Sequence, residues 1–299
     1  MKQNRFLPVG AVILAGVLWG VISLFIRRLD AGGLDSFQIA WVRMLMASLL
    51  FGSFVLVTDP KKLRIRLRDA WMFVGTGIVS VVMFNTSYFY TMTHTDASVA
   101  VVLLYTSPVF IMLLSAVLFK ERITPVKLTA LILTVGGCVA VAGLLGGSCR
   151  IPPFCILTGL GAGLFYALYT IFGRYALAKY DTVTVTFYTF LFALVGSSPL
   201  GKIGETVAAF RADPLLILFG AGIGLISTAL PYFLYTWGLQ RMDSGKAAIL
   251  VAVEPLVGAV IGMTLYHESH DPAKLVGMAL ILAAIVMLNL PERKKSGSS

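Results

Sequence analysis

Ten apolar runs, each ended by a short polar break, divide this chain. They cover residues 8–26, 37–57, 71–92, 97–119, 126–145, 154–177, 183–200, 215–239, 247–266 and 273–290. A helix rises 1.5 Å per residue, so a run of roughly 20 residues crosses a hydrocarbon core of ~30 Å. The pattern predicts an all-α integral membrane protein with ten transmembrane helices. The seventh run is the weakest, with Thr182, Thr184, Thr186 and Thr189 near its start. The first follows Lys2 and Arg5 as a signal peptide would, but it runs on without an A-x-A-like cleavage site. It has a counterpart later in the chain and reads as a retained helix.

The polar breaks repeat. Tyr88, Asp96, Pro108, Glu121, Pro125 and Lys127 in the first half recur as Tyr235, Asp243, Pro255, Glu268, Pro272 and Lys274, each pair 147 positions apart (255 − 108). The same interval joins Gly16 to Gly163, Phe25 to Phe172, Arg27 to Arg174, Gly75 to Gly222, Gly77 to Gly224 and Ser80 to Ser227. A constant interval of half the chain, free of gaps, indicates a duplicated five-helix unit. Residues 1–147 form the first repeat and 148–295 the second, with 296–299 expected as a disordered tail. An odd number of helices per unit inserts the second copy upside down. Inverted repeats of this kind belong to transporters that expose a midplane site alternately to the two sides.

Composition agrees. Residues are 58% hydrophobic and 13% charged, against about 25% charged in soluble domains. The net charge of +10 would suit a nucleic-acid partner, but the basic residues sit in the gaps between apolar runs. With the N-terminus inside, 17 Lys and Arg fall in inside segments and 6 in outside ones, Arg43 lying within a run. The positive-inside rule therefore predicts that both termini are cytoplasmic. Where the inverted copy faces out, Lys120 has become His267 and Arg122 has become Ser269.

The pattern L-x-x-x-x-P-V/L at Leu103–Val109 and Leu250–Leu256 is followed in each half by a Lys/His-Glu pair and a Pro. Together with Arg43 and Glu254-Pro255, it resembles the EamA family of the drug/metabolite transporter superfamily. The resemblance covers residues 9–290. It implies a ten-helix secondary transporter in a bacterial inner membrane, working in a lipid bilayer without a cofactor. It implies a small-molecule substrate such as an amino acid, nucleoside or vitamin, with export as the expected direction. It names neither the substrate nor the oligomeric state.

A charge at mid-bilayer costs at least ~2.5–3.5 kcal/mol on insertion scales, which makes it a functional signal. Arg43 is expected about 10 Å below the outer boundary and Glu254 about 12 Å above the inner one. Pro255 removes one helical hydrogen bond and is expected to turn the Val251 carbonyl toward a polar cavity. Substrate-binding residues are expected to be Glu254, Arg43, Trp19, Asn85, Tyr88, Tyr105, Tyr166, Tyr232 and Tyr235, with Gln38 and Trp41 adding to the polar supply. Trp19 and Tyr166 hold matching repeat positions, as do Asn85 and Tyr232, while Glu254 is matched by Ser107. One cation, one anion, amides, hydroxyls and rings suit a zwitterionic or heteroaromatic metabolite. Glu254 would meet the substrate's cationic group or take up a coupling proton. Arg43 would bind an anionic group or serve the structure.

Other constellations are weaker. His267, Glu268, His270 and Asp271 imitate a metal site, but His-x-x-His without a second ligand pair reads as a connector, and no metal is expected. Neither a nucleophile–base pair nor a phosphate-binding loop occurs, so catalysis is not expected. Gly16/Gly20, Gly159/Gly163 and Gly220/Gly224 read as helix-packing G-x-x-x-G pairs. Cys149 and Cys155 flank Pro152-Pro153 and would form a disulfide in an oxidising exterior or remain thiols. Two rival functions stand beside transport: an intramembrane lipid-modifying enzyme and a non-transporting sensor subunit.

Overall fold

The computed structural model describes residues 6–95, 97–142, 151–266 and 272–289, all helix and connector with no strand among them. Eight helices are long and apolar enough to cross a membrane: α1 Phe6–Ala31, α2 Ser36–Thr58, α3 Leu67–His94, α4 Val99–Phe119, α6 Pro153–Leu177, α8 Leu215–Leu239, α9 Ser244–Leu265 and α10 Pro272–Asn289. Two shorter apolar helices, α5 Pro125–Val141 and α7 Thr182–Ser197, complete the series. A further helix, Ile203–Ala212, lies between α7 and α8. The expected tail 296–299 lies outside the described residues, as do Cys149 and residues 267–271.

The weak seventh run is helical because its polar groups are satisfied internally. Asp181 caps α7 through the Thr184 N–H at 2.8 Å. Thr186 Oγ1 donates to the Thr182 carbonyl at 2.7 Å, and Thr189 Oγ1 donates to Thr76 of α3 at 2.7 Å. Helix α2 begins with a capping box in which Asp35 accepts from the Gln38 N–H and Gln38 Oε1 accepts from the Asp35 N–H. The Gln38 amide also donates to Thr206 at 3.1 Å. Gln38 is therefore spent on tethering the helix Ile203–Ala212, not on lining a cavity as its sequence position suggested. Burial raises the Asp35 carboxyl, but the Gln38 N–H and Lys202 outweigh it and leave the pKa lowered.

Five helices depart from regular geometry, α1 being interrupted by a turn at Val21. Helix α3 is π-helical over Gly75–Val82 and α8 over Leu225–Ala229. Helix α4 breaks at Tyr105–Thr106, just before Pro108. Helix α9 tightens to a 3₁₀ turn at Val251–Val253, just before Pro255. In each pair the second distortion falls within the interval found in the sequence.

Helix α1 packs on α8 and α9, and α6 packs on α3 and α4. Helices α2 and α7 meet face to face, as do α4 and α9, and α5 and α10. Glycines permit the close crossings. A Cβ on Gly75 would lie 2.5 Å from the Phe172 ring, and one on Gly222 would lie 2.6 Å from the Phe25 ring. The largest core cluster holds Trp19, Phe51, Tyr169, Phe190, Tyr232 and Tyr235. Outward positions remain apolar, Val57 being 86% and Val117 77% exposed, as lipid contact requires.

Candidate functional site

The breaks in α4 and α9 face each other, and a cavity lies between them. It is lined by Leu104, Tyr105, Ser107, Pro108 and Ile111 of α4, by Ala248, Val251, Ala252 and Glu254 of α9, and by Tyr166 of α6. Glu254 begins the post-kink segment of α9, and no hydrogen bond or ion pair within the described residues engages its carboxylate. Ser107, matched to Glu254 by the repeat interval, lies in the same lining.

A second cavity shares Tyr166 and is otherwise lined by Trp19, Ser80, Val81, Phe84, Tyr169, Thr170, Tyr232 and Tyr235. The rings meet largely edge to face. Trp19 is 5.0 Å from Tyr232, 5.7 Å from Tyr235 and 6.5 Å from Tyr166, and Tyr169 is 5.1 Å from Tyr232. Two hydroxyls are held in place, Tyr169 with Thr236 at 2.6 Å and Tyr235 with Thr170 at 2.8 Å. Each cavity has room for about one water molecule, so a metabolite enters only if the helices part.

Gly16 brings α1 against this region. A Cβ there would lie 2.6 Å from the Val251 carbonyl oxygen and 2.6 Å from Val253 Cγ1. The Val251 carbonyl accepts from the Glu254 N–H in the 3₁₀ turn. It thus faces a short internal bond and helix α1, which corrects the expectation of a carbonyl released into a polar cavity. Tightening from i→i+4 to i→i+3 recovers the bond that Pro255 removes.

The predicted residues do not form one cluster. Glu254, Tyr105 and Tyr166 meet in the first cavity, and Trp19, Tyr166, Tyr232 and Tyr235 in the second. Asn85 lines a third cavity with Phe37, Ala40, Met44 and Ser197, while its amide donates to the Val81 carbonyl at 2.6 Å. Tyr88 packs beside Phe84 at 5.9 Å, and Phe84 beside Tyr166 at 5.5 Å. Arg43 lines none of these three cavities. It is buried, and its Nε donates to Thr228 Oγ1 at 3.1 Å, while Thr228, in the distorted stretch of α8, donates to the Ile223 carbonyl just before that stretch. Trp41 packs over Gly201 rather than into a cavity.

Sequence patterning missed Phe84 and Thr228, since neither stands out among apolar or hydroxyl neighbours. Among the described residues no group of three or more His, Cys, Asp and Glu side chains could hold a metal. The suspected ligands His267–Asp271 lie outside them. Cys155 is buried with its Sγ 3.9 Å from the His94 carbonyl, and its suggested partner Cys149 is likewise outside.

Comparison with known proteins gives concordant results. The profile of the EamA-like transporter family matches twice, over residues 7–143 and 153–290. An uncharacterized transporter of Archaeoglobus fulgidus is 29% identical over 290 residues, covering 93% of this chain and 94% of that protein. The threonine/homoserine exporter RhtA of Escherichia coli K12 is 29% identical over 254 residues, covering 83% and 81%. A crystal structure superposes with a TM-score of 0.77 at 17% identity, covering 95% of this chain and 96% of its own, a likeness of fold alone.

Proposed function

Because this chain belongs to the EamA-like transporter family, we propose that it is a secondary transporter carrying a small organic metabolite across a bacterial inner membrane. The site is the cavity between α4 and α9 together with the neighbouring cavity that shares Tyr166, with Glu254 as the polar anchor and the Trp19, Tyr166, Tyr232 and Tyr235 rings as the apolar wall. The observation that carries this reading is Glu254 in the lining of the cavity at the facing helix breaks, its carboxylate engaged by no hydrogen bond or ion pair within the described residues. A carboxylate so placed would receive an ammonium group or a coupling proton. The rings would hold an apolar or heteroaromatic body through edge and cation–π contacts.

The two inverted five-helix units support alternating access. The double match of the family profile, the paired distortions in α3/α8 and α4/α9, and the equivalent packing of α1 on α8 and α6 on α3 favour that arrangement. The exporter name of one relative makes a small amino acid the first substrate to try.

The test is release from proteoliposomes loaded with mixed amino acids, nucleosides and vitamins, followed by mass spectrometry. Selective loss of a few compounds is expected, and Glu254→Ala should abolish it. Glu254→Gln separates the roles. Loss of gradient-driven flux with exchange intact identifies a proton carrier, and equal loss of both identifies a substrate ligand. Undiminished flux in both variants would remove Glu254 from the mechanism.

A further inference from the structure

At the end of the bundle that carries the basic 61–68 stretch, the α4–α5 turn is bound to the α8–α9 turn through charge. Lys120 adopts a left-handed conformation (φ 56°) that ends α4. The next residue, Glu121, reaches the start of α9. Its Oε1 accepts from the Ser244 N–H and from Ser244 Oγ, both at 2.9 Å, and Oε2 lies 3.4 Å from the Gly245 N. Arg174, near the end of α6, places Nη2 3.2 Å from Glu121 Oε1. Its Nη1 donates to the carbonyls of Leu239 at 3.2 Å and Met242 at 3.0 Å. Beside them, Lys127 of α5 pairs with Asp243 at 2.7 Å and donates to the Arg122 carbonyl at 3.1 Å.

Most exposed ion pairs contribute little. Glu121 differs, because its side chain is only 9% exposed and it gathers donors from two chain segments, the start of α9 and the end of α6. Removing it would leave Arg174 Nη2 and the start of α9 without this acceptor, Arg174 keeping its two carbonyl contacts. Glu121 with Ser244, Gly245 and Arg174, and Lys127 with Asp243, join the first half of the chain to the second, while Arg174 ties α6 to the α8–α9 turn, and α9 carries Glu254. The repeat also preserves the set in sequence, since Arg174, Asp243, Glu121 and Lys127 are matched by Arg27, Asp96, Glu268 and Lys274. Between Glu121 and Lys127 Pro125 alone is also kept, as Pro272, and Ser244 itself is matched by Ala97.

We propose that Glu121, Arg174, Lys127 and Asp243 form the latch that closes this end of the Glu254 cavity and that must release for substrate to pass. The latch rests on the transport reading above only in the statement that substrate passes this way. Its opening is measurable without any substrate.

The experiment places a single cysteine at Ser107, in the cavity lining, after replacing Cys138, Cys149 and Cys155. A membrane-impermeant maleimide is added from the face carrying residues 61–68. Alkylation should be slow in the otherwise unaltered latch. It should accelerate on the order of tenfold in Glu121→Ala and in Lys127→Asp, as expected when a closed population loses its bias. The swap Lys127→Asp with Asp243→Lys should return it toward the slow rate. Lys127→Asp keeps the test decisive if Glu121→Ala does not fold. Unchanged alkylation in folded Lys127→Asp, failure of the swap to restore it, or equal acceleration from both faces would overturn the latch. If alkylation behaves as expected while no loaded compound is released by the unsubstituted protein, the transport reading fails and the latch stands.

Discussion

Arg43 carries a charge into the bundle, and one hydroxyl receives it. Thr228 accepts from Arg43 Nε while its own proton goes to the Ile223 carbonyl, five residues earlier and just before the π-helical stretch. One side chain thus answers both the buried guanidinium and the irregular backbone. Thr228→Val keeps the shape and removes the acceptor. It should cost about 1–3 kcal/mol, the penalty for stranding a buried donor, seen as a lower midpoint in thermal unfolding of the purified protein. Thr228→Ser should recover most of that loss. If Thr228→Val unfolds at the original temperature, Arg43 draws its stability from elsewhere. Glu254 differs in that no hydrogen bond or ion pair within the described residues engages its carboxylate, and Arg43 acts on it only through charge at a distance.

At the scale of elements, the site depends on how closely α1 approaches the kink of α9. Gly16 makes that approach possible, because any Cβ there meets the Val251 carbonyl and Val253 at 2.6 Å. Gly16→Ala must separate the two helices. Overpacking of this type costs about 1–3 kcal/mol, and the shift falls on the turn that positions Glu254. The expected outcome is a lower unfolding midpoint together with reduced flux. Gly10 lies on the same helix with nothing within 4 Å of its Cβ position. Gly10→Ala is the control and should be neutral or slightly stabilising, since alanine is the better helix former. Equal behaviour of the two variants would show that the contact between α1 and α9 is not limiting.

Across the whole molecule, the two ends of the bundle are tied differently. One end holds the charged latch. It also holds a strap in which Tyr180 donates to Asp69 at 2.9 Å and Thr184 donates to the Lys62 carbonyl at 3.0 Å. At the other end, Lys202 pairs with Asp35 at 2.9 Å, and Gln38 reaches Thr206. The basic 61–68 stretch marks the first end as the cytoplasmic side in the proposed topology. Reporter fusions to the N- and C-termini should then both report cytoplasm, while a reporter inserted at Gly204 should report the exterior. Opposite locations for the two termini would require an odd number of crossings and would exclude the ten-helix arrangement.

The apolar runs determined where helices form, because each segment must satisfy its own backbone in lipid and a run of about 20 apolar residues has no other solution. The 147-residue interval was legible for a similar reason, since glycines, prolines and charges are rare enough in such a chain to act as markers. Glu254, Trp19 and Tyr166 could be singled out because charge and paired aromatic positions stand out against an apolar background. Partners could not be read the same way. That Arg43 meets Thr228, that Gln38 tethers Thr206, and that Glu121 reaches Ser244 are contacts between residues more than a hundred positions apart. Hydropathy reports the medium around a residue and not which neighbour it meets. The fate of the Val251 carbonyl was likewise decided in three dimensions, where a 3₁₀ bond and the approach of α1 closed a position that Pro255 alone would have left open.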